Sequence, residues 1–218
     1  MKTLKRFVLV GAPASGKGTQ ARFLAEKYQL ETLSTGALLR HEIETGTELG
    51  RAAAAYIAKA MLVPDEVVNE IVRNWVSAHA AAAWLLDGYP RTLAQAEALE
   101  SNLAELGLPL DVVVWLDVSH GLIQARMLRR RECASCGCIT RNGEDTCPNC
   151  GGAMYIRSDD NLEAFARRWK DYERLTEPVA RYFHAKGQAV RIPVVEEKEP
   201  EEVFLLTRHA LEQFAEND

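Results

Sequence analysis

Short apolar runs that alternate with helical stretches constrain the fold of this chain more than any other feature of its sequence. Three of these runs are "RFVLV" (6–10), "AAWLLD" (82–87) and "AVRIPV" (189–194), and "DVVVWLDV" (111–118) is apolar almost throughout. A nearly continuous apolar strand is buried on both faces, which is typical of a parallel sheet covered by helices on both sides. The sequence therefore predicts an α/β fold with a central parallel sheet between helical layers.

Helical stretches follow the apolar runs along the chain. The first is "TQARFLAEKY" (19–28), and a second covers residues 120–131. A long helix is predicted over residues 161–186, where Pro178 is expected to bend it, and a closing helix over residues 199–216.

Two segments do not follow this alternation. Residues 34–64 are alanine-rich and mostly helical in pattern, whereas residues 131–156 contain cysteine, glycine and asparagine with little apolar periodicity. A chain of 218 residues is long enough for one well-buried domain. Both segments are therefore interpreted as insertions in a single domain.

Composition and charge exclude several classes of protein. The net charge of −5 and the pI near 5.6 argue against a general nucleic-acid-binding surface. No run approaches the ~18 apolar residues that span a bilayer, and "FVLV" near the start is shorter than the roughly 7–15 residues of a secretory signal core. We therefore expect a cytoplasmic protein without a membrane or nucleic-acid partner, whose cysteines bind metal or do redox chemistry rather than form disulfides.

A glycine-rich turn lies between the first strand and the first helix. In "GAPASGKGTQ", Gly11, Gly16 and Lys17 satisfy most of the Walker A pattern. The strict form has Ser or Thr directly after the lysine, whereas here Gly18 precedes Thr19. Glycines let backbone N–H groups approach phosphate oxygens, the helix N-terminus adds its positive dipole, and the lysine adds a full charge. The turn is therefore predicted to bind a polyphosphate.

A second candidate element follows the next buried strand. "LLDGYPRT" (85–92) places Asp87 at the end of that strand and Arg91 in the turn after it. Ligands of open α/β sheets bind beyond the carboxyl ends of the strands. Asp87 is therefore predicted to lie beside the glycine-rich turn, suited to holding Mg²⁺ through its waters, and Arg91 to face a second anion.

The sequence closely resembles the adenylate kinase family over essentially its whole length. The motifs that carry the resemblance, in family order and spacing, are "GAPASGKGTQA", "LSTGALLR", "LVPDE", "LLDGYPRTLAQA" and "YIRSDD". The resemblance implies reversible transfer of the γ-phosphoryl group of Mg·ATP to AMP, giving two ADP. It also implies a three-layer P-loop kinase fold with a core of residues 1–33, 65–129 and 161–218 and two inserted mobile segments. These are a nucleoside-monophosphate-binding segment (34–64) and a lid (130–160).

The resemblance implies roles for individual residues on the ATP side. Lys17 is the main charged contact of the ATP phosphates. Arg157 and Arg168 are the arginines that close over the transferring group. The implied ATP-binding residues are Ala14, Ser15, Gly16, Lys17, Gly18, Thr19, Arg126 and Arg130, and the implied catalytic residues are Lys17, Arg91, Arg130, Arg157 and Arg168. Asp159 and Asp160 correspond to the family's acidic pair at the lid hinge.

On the AMP side, the resemblance implies that Arg91 binds the phosphate and that Gln95 reads the adenine edge by a paired hydrogen bond. Residues 61–63 line the adenine through backbone groups. The implied AMP-binding residues are Thr35, Gly36, Arg40, Met61, Leu62, Val63, Gly88, Arg91, Gln95, Arg157 and Arg168.

The arginine content agrees with this chemistry. Transfer to an acceptor that is already an anionic phosphate needs in-line positioning and charge neutralisation more than acid–base chemistry. Arginine supplies planar, bidentate and permanently charged contacts. We therefore expect no catalytic base, and interpret the five histidines as surface or helix residues.

Two positions and one stretch of the chain depart from the family pattern. Ala14 stands where the family usually has glycine, and Ala37 where it usually has aspartate. "VVEEKE" (194–199) replaces an Asp-Gly near the last nucleotide-contacting loop, so no residue is assigned to the ATP adenine there.

Four of the five cysteines form two Cys-x2-Cys pairs separated by ten residues: Cys133, Cys136, Cys147 and Cys150. Each pair can present two thiolates to one ion, and two pairs complete a tetrahedral S4 site. A structural zinc ion is predicted, with iron or a redox dithiol pair as alternatives. A shell of four protein ligands leaves no position for a substrate, so the metal would be structural. The segment is too short to be stabilised by a hydrophobic core of its own, and the metal would stabilise its fold instead. Cys138 is expected to be a bystander.

Two other functions remain open at this point. A related nucleoside monophosphate kinase could prefer UMP, CMP or GMP, although Gln95 and "GYPRT" favour AMP. A nucleotide-binding regulator without turnover is opposed by the intact set of Lys17, Asp87 and arginines. The sequence contains no apolar repeat that suggests an obligate partner, so a monomer is expected.

Overall fold

The structure is a computed structural model that describes residues 3–59, 61–140, 143–156 and 161–216. In this part of the chain, a five-stranded parallel sheet has the order β2–β3–β1–β4–β8, and a three-stranded antiparallel sheet has the order β6–β5–β7. The strands are β1 (Arg6–Gly11), β2 (Glu31–Ser34), β3 (Trp84–Asp87), β4 (Val112–Val118), β5 (Arg131–Cys133), β6 (Ile139–Thr140), β7 (Met154–Tyr155) and β8 (Ala189–Val194).

Helices cover both faces of the parallel sheet, as the sequence predicts. They are α1 (Lys17–Tyr28), α2 (Thr35–Thr45), α3 (Glu48–Ala58), α4 (Asp65–Ala78), α5 (Leu93–Glu105), α6 (His120–Arg129), α7 (Leu162–Asp171), α8 (Glu177–Ala185) and α9 (Pro200–Glu216). No helix in the described ranges combines the length and the apolar character that crossing a bilayer requires.

Alternate residues of the central strands belong to two hydrophobic cores. In β1, Phe7 and Leu9 face the core that includes residues of α1, α6 and α9. Val8 and Val10 face the opposite core, with residues of α4, α5 and α8. Because successive side chains of a strand point to opposite faces, a strand buried on both faces must be apolar at every position. This is why the run at 111–118 predicts a central strand, β4.

The carboxyl ends of the central strands meet at one edge of the sheet. Asp87, the last residue of β3, pairs with Leu9 of β1 on one side and with Ser34 of β2 on the other. The sequence did not predict β2, because this edge strand has four residues, two of which are exposed, and lacks an apolar run. The glycine-rich turn after β1 (the P-loop), α2 and the turn after β3 therefore all begin from the same edge.

Residues 34–64 contain the helical hairpin α2–α3, in agreement with the predicted helical character of this segment. The two helices cross closely at Gly50, where an added Cβ would lie 1.9 Å from the carbonyl oxygen of Glu42. The Thr47 hydroxyl accepts a hydrogen bond from the Gly50 N–H at 3.0 Å and caps α3. Only glycine allows this approach of the two backbones.

Residues 131–156 contain the antiparallel sheet β6–β5–β7, which the sequence did not predict. Its strands have only two or three residues, too few to show a two-residue periodicity. Helix α6 ends at Arg129, two residues before the predicted boundary, because Arg130 is extended with ψ 135° and leads directly into β5.

The long helix predicted over residues 161–186 is helical from Leu162 to Ala185, but it contains a π-helical turn. Between α7 and α8, residues 172–176 form a π-helical turn in which the Glu177 N–H donates to the carbonyl of Tyr172. Pro178 follows as the second residue of α8. In a regular α-helix the proline ring would meet the carbonyl of Arg174, four residues before it, and this carbonyl lies within the widened turn.

Candidate active site

A cavity of about 1340 Å³ opens at the carboxyl ends of the parallel strands. Its walls come from the P-loop, the α2–α3 hairpin, the turn after β3, the cysteine-containing segment and the start of the π-helical turn. Pockets for single drug-sized ligands have volumes of about 300–1,000 Å³. The cavity therefore has room for two nucleotides.

The structure brings most of the predicted site residues to the wall of this one cavity. They are Ala14, Gly16, Lys17, Gly18, Thr19, Thr35, Gly36, Arg40, Met61, Leu62, Val63, Asp87, Gly88, Arg91, Gln95, Arg126, Arg130 and Arg168. Ser15 lies behind the wall, with only 3% of its surface exposed. Arg157, Asp159 and Asp160 lie outside the described residues.

The P-loop backbone requires residues with positive φ. Gly16 has φ 97° directly before α1 begins, and Ala14 has φ 58°. An L-residue in this left-handed region carries a strain of about 1–2 kcal/mol, which explains why glycine is the usual residue at position 14. An added Cβ at Gly11 would lie 2.8 Å from the carbonyl oxygen of Leu116 in β4. Glycine at position 11 therefore lets the loop begin directly beside the neighbouring strand.

Lys17 lies at the bottom of the cavity. Its ammonium donates to the carbonyls of Gly11 and Ala12, each at 2.7 Å. Burial lowers the pKa of Lys17 from 10.5 to about 8, since removal from water disfavours the charged form. The carboxylate of Asp87 opposes this shift, and the positive charges of Arg91, Arg130 and Arg168 add to it. The cavity is thus strongly positive at its base.

Two arginines lie close together beside α2. A Cβ placed on Gly36 would be 3.4 Å from Arg40 Nη1 and 3.9 Å from Arg91 Nη2. Arg91 Nε donates to the carbonyl of Gly88 at 2.7 Å, which anchors the guanidinium. Burial lowers the pKa of Arg91, Asp87 opposes the shift, and Arg40 adds to it. Both guanidinium groups are within reach of one anion at the N-terminus of α2.

Asp87 lies next to the N-terminus of α1. Its Oδ2 is 4.0 Å from the position of a Cβ placed on Gly18, and its charge acts on both Lys17 and Arg91. Oxygen ligands are those that Mg²⁺ prefers, and this ion usually keeps several waters in protein sites. The carboxylate is therefore suited to holding Mg²⁺ through water.

The side-chain amide of Gln95 has a protein partner at each end. Its Oε1 accepts from the Arg91 N–H at 2.7 Å, and its Nε2 donates to Asp65 Oδ1 at 2.7 Å. The amide retains one hydrogen and one lone pair for a further partner. Sequence reasoning gave Asp65 no role, because the contact joins residues 30 positions apart.

Arg126 is paired with a residue of the stretch that replaces the family's Asp-Gly. Its Nη2 is 2.9 Å from Glu197 Oε1, and its Nη1 donates to the carbonyl of Ser15 at 3.4 Å. The side chain of Arg126 is only 4% exposed, and that of Glu197 is 55% exposed. Glu197 therefore holds Arg126 against the P-loop, a role that the unassigned "VVEEKE" stretch did not indicate.

Alanine at position 37, where the family usually has aspartate, does not remove the cap of helix α2. The Ser34 hydroxyl accepts a hydrogen bond from the Ala37 N–H at 3.4 Å and forms the N-cap of this helix.

The four paired cysteines form one cluster. The Sγ atoms of Cys133, Cys136, Cys147 and Cys150 all lie within 4.8 Å of one another, with distances of 3.4 Å between Cys133 and Cys150 and 3.6 Å between Cys136 and Cys147. Tetrahedral zinc with Zn–S distances near 2.3 Å requires sulfur atoms about 3.8 Å apart. The geometry fits one such ion. It does not fit disulfides, and all five cysteines are free.

Two similar turns present these thiols. The N–H of Gly137 donates to the carbonyl of Cys133 at 3.0 Å, and the N–H of Gly151 donates to that of Cys147 at 2.9 Å. Both glycines have positive φ, 67° and 73°. Each Cys-x2-Cys-Gly turn thus places one buried and one exposed thiol on the same side.

Comparison with known proteins agrees with the site. The family described as "Adenylate kinase" matches residues 9–188 of the chain. The chain belongs to the adenylate kinase family. An adenylate kinase of Caldicellulosiruptor bescii is 43% identical over 192 residues, which cover 85% of this chain and 89% of that protein. An adenylate kinase of Methanocella arvoryzae is 38% identical over 217 residues, covering 96% and 100%.

Membership of the adenylate kinase family makes the chain a phosphotransferase. It confirms the expected family and the P-loop kinase fold, since the parallel sheet flanked by helices is the architecture observed. The relatives therefore do not support the hypothesis of a nucleotide-binding regulator without turnover.

Proposed function

We propose that this chain catalyses the reversible transfer of the γ-phosphoryl group of Mg·ATP to AMP, giving two ADP. The observation that carries this proposal is the convergence of Lys17 and the described arginines of the predicted site on one cavity with room for two nucleotides. These arginines are Arg40, Arg91, Arg126, Arg130 and Arg168. Its relatives named adenylate kinase support the choice of ATP and AMP.

The reaction joins two anions. An oxygen of the AMP phosphate attacks the γ-phosphorus in line, and the bond from this phosphorus to the β–γ bridging oxygen breaks as the new P–O bond forms. The electron pair of the broken bond leaves with ADP. Because the attacking oxygen is already anionic, the protein has to position the groups and neutralise charge, and no general base is needed.

On the ATP side, the P-loop from Ala14 to Thr19 would surround the phosphates. Lys17 would exchange its two carbonyl partners for phosphate oxygens, which restores a fully favourable environment for its charge. Arg126, held by Glu197 against the loop, and Arg130, at the start of the cysteine-containing segment, would complete this side.

On the AMP side, Arg40 and Arg91 would bind the phosphate at the N-terminus of α2, near Thr35 and Gly36. Residues 61–63 and Gln95 would contact the adenine. Gly88 has φ 84°, and a Cβ there would lie 3.0 Å from both Thr35 Oγ1 and Arg91 Nη2. A side chain at position 88 would therefore push apart the groups that bind the phosphate. Arg157 and Arg168 would close over the transferring group.

Two metal ions belong to this proposal. Asp87 would hold Mg²⁺ through water, and the ion when bound supplies charge neutralisation on the β- and γ-phosphates. The four cysteines of the cluster would hold a structural zinc ion that stabilises the small antiparallel sheet. Metal analysis of the purified protein would distinguish zinc from iron in the same ligands.

We further propose that residues 34–64 and 130–160 move as units over the core. The first is built on a helical hairpin and the second on its own small sheet, so each has internal hydrogen bonds that do not depend on the core. Closing them would exclude water, which competes as an acceptor. Hydrogen exchange measured with AMP and a non-hydrolysable ATP analogue should show protection in both segments.

The protein is proposed to be a cytoplasmic monomer. The outer strand β8 carries Pro193, which has no N–H, and the exposed Arg191, and both discourage edge pairing with another chain. Five free thiols agree with a reducing compartment. Light scattering of the purified protein at several concentrations tests the monomer.

A coupled assay for ADP formation tests the proposed function. Initial rates are compared with AMP, CMP, UMP and GMP as acceptors and Mg·ATP as donor. We expect AMP to be the preferred acceptor. Equal rates with all four would remove the basis for assigning AMP.

Substitution of Arg91 tests the phosphate site. Arg91→Ala should lower kcat/KM by at least about 10²-fold, because a buried charge proposed to bind the AMP phosphate is lost. Arg73→Ala is the matched control, since Arg73 is 65% exposed and pairs only at the surface with Glu105. Near-normal activity of Arg91→Ala would mean that the AMP phosphate binds elsewhere.

A further inference from the structure

Asp65, the first residue of α4, holds the side-chain amide of Gln95 in one orientation. Asp65 Oδ1 accepts from Gln95 Nε2, and the Arg91 N–H donates to Gln95 Oε1, both at 2.7 Å. A carboxylate can only accept hydrogen bonds and a backbone N–H can only donate them. The two ends of the amide are therefore distinguished by partners of opposite kind.

The partners of the amide are themselves held in place. Asp65 Oδ2 accepts from the Thr92 hydroxyl at 2.6 Å, and the same hydroxyl oxygen accepts from the Gln95 N–H at 3.1 Å. The carbonyl of Arg91 accepts from Thr176 Oγ1 at 3.0 Å, which fixes the backbone at the other end. Gln95 is only 2% exposed, so the surrounding residues leave little space for its side-chain amide to rotate.

A fixed amide presents a fixed pattern to the cavity that it lines. Its remaining lone pair on Oε1 can accept one hydrogen bond, and its remaining hydrogen on Nε2 can donate one. Adenine offers a donor at its 6-amino group and an acceptor at N1, which match this pattern. A 6-oxopurine offers an acceptor at O6 and a donor at N1, which match only the reversed amide.

We propose that Asp65 is a specificity-determining positioning residue that makes the monophosphate site select adenine over 6-oxopurine bases. This inference rests on the proposed function, in which AMP binds beside Gln95. Reversing the amide would set Nε2 against the Arg91 N–H and Oε1 against the Asp65 carboxylate. Both hydrogen bonds would be lost and two repulsive contacts formed, so the site disfavours the wrong base by a built-in mismatch.

Exchange of Asp65 for asparagine tests the proposal with little change of shape. The asparagine amide can accept from Nε2 or donate to Oε1, so it no longer distinguishes the two orientations of Gln95. AMP and IMP are compared as acceptors, because IMP differs from AMP only at this edge of the base. We expect the ratio of kcat/KM for AMP to that for IMP to fall by about tenfold or more in Asp65→Asn. The KM for ATP should stay within about twofold.

Glu66→Gln is the matched control. It removes the same charge from the first turn of α4, but Glu66 is exposed. Its AMP-to-IMP ratio should equal that of the unaltered chain. A merely structural effect of Asp65→Asn would lower the rates with AMP and IMP alike and leave their ratio unchanged. If Asp65→Asn does not fold, Asp65→Ser provides the same test, since a hydroxyl also donates or accepts.

The outcomes separate this inference from the proposed function. An AMP-to-IMP ratio in Asp65→Asn within about twofold of the unaltered chain overturns the role of Asp65. If Gln95→Ala lowers the ratio under the same conditions, AMP still binds beside Gln95 and the proposed function stands. An unaltered chain that uses IMP as well as AMP also overturns the inference. An unaltered chain that forms no ADP from AMP refutes both proposals.

Discussion

Gly50 decides whether α2 and α3 can pack as closely as they do. A Cβ at this position would lie 1.9 Å from the carbonyl oxygen of Glu42 and 2.6 Å from the backbone nitrogen of Ile43. Carbon–oxygen contacts in proteins are about 3.3 Å or longer. Because both neighbours are backbone atoms, no side-chain rotation can relieve the overlap. In Gly50→Ala, the two helices must therefore move apart by over ~1 Å.

The cost of this movement can be compared with a matched substitution. Overpacking in a closely packed contact costs about 1–3 kcal/mol, and replacing a helical glycine by alanine returns about 0.5–1 kcal/mol. Gly50→Ala should thus destabilise the protein by about 1–2 kcal/mol. Gly121 also lies in a helix, α6, but an added Cβ there meets no atom within 4 Å. Gly121→Ala should stabilise by up to about 1 kcal/mol.

The same separation of α2 and α3 should weaken the binding of AMP more than the binding of ATP. Helix α2 carries Thr35, Gly36 and Arg40, which are proposed to bind AMP, and the atoms nearest to an added Cβ at Gly50 also belong to α2. A cost of 1–2 kcal/mol that falls on the bound position of the hairpin corresponds to a rise in KM for AMP of about 5- to 30-fold. The KM for ATP should change by less than about twofold.

Melting temperature, hydrogen exchange of the α3 amides and steady-state kinetics check this prediction. For a chain of this size, 1 kcal/mol corresponds to about 2–4 °C. If the hairpin opens locally, exchange in α3 and the KM for AMP report the change even where the global melting temperature does not. Gly50→Ala that matches Gly121→Ala in stability, with unchanged exchange and an unchanged KM for AMP, would refute the reasoning.

Two further predictions concern the metal and the buried lysine. Chelation of the ion proposed to bind the cysteine cluster should mainly lower the melting temperature, with a smaller effect on the turnover of protein that is still folded. Loss of turnover while circular dichroism and exchange show the segment still folded would contradict a structural metal. Because the pKa of Lys17 is lowered to about 8 from 10.5, the unfolded chain binds more protons than the ligand-free native protein between these pH values. The contribution of this residue to the free energy of unfolding should therefore rise by about 3 kcal/mol as pH increases across this range. Unfolding curves of Lys17→Met should lack this rise, and identical pH dependence in both proteins would contradict it.

The central architecture could be predicted because its causes are local or periodic. Strands β1, β4 and β8 are apolar runs of the right length, and the glycine-rich turn has its strand and helix directly on either side. Strand β2 could not be predicted, because it forms only where the edge of β3 offers free hydrogen-bonding groups. Its residues show no pattern of their own.

Some residues of the candidate site could likewise be predicted from the sequence, and others could not. The positions of Lys17, Asp87 and Arg91 at the cavity could be predicted, because each belongs to a motif that directly follows or ends a strand. Asp65 and Glu197 could not be given roles, since their partners lie 30 and 71 residues away. A carboxylate in a sequence does not indicate which distant donor it will meet.

The amino-acid sequence alone determined the parallel sheet, the glycine-rich turn and the two thiol pairs, because periodicity, glycine spacing and ligand spacing act over a few neighbouring residues. Only the tertiary structure decided how these parts combine: it gathered the described arginines of the site around one cavity, paired Glu197 with Arg126, and set Asp65 against the amide of Gln95. The physical reason is that hydrogen bonds and charge interactions depend on distance in space. Those distances are set by how the helices pack on the sheet, so they follow from the whole fold rather than from any single segment.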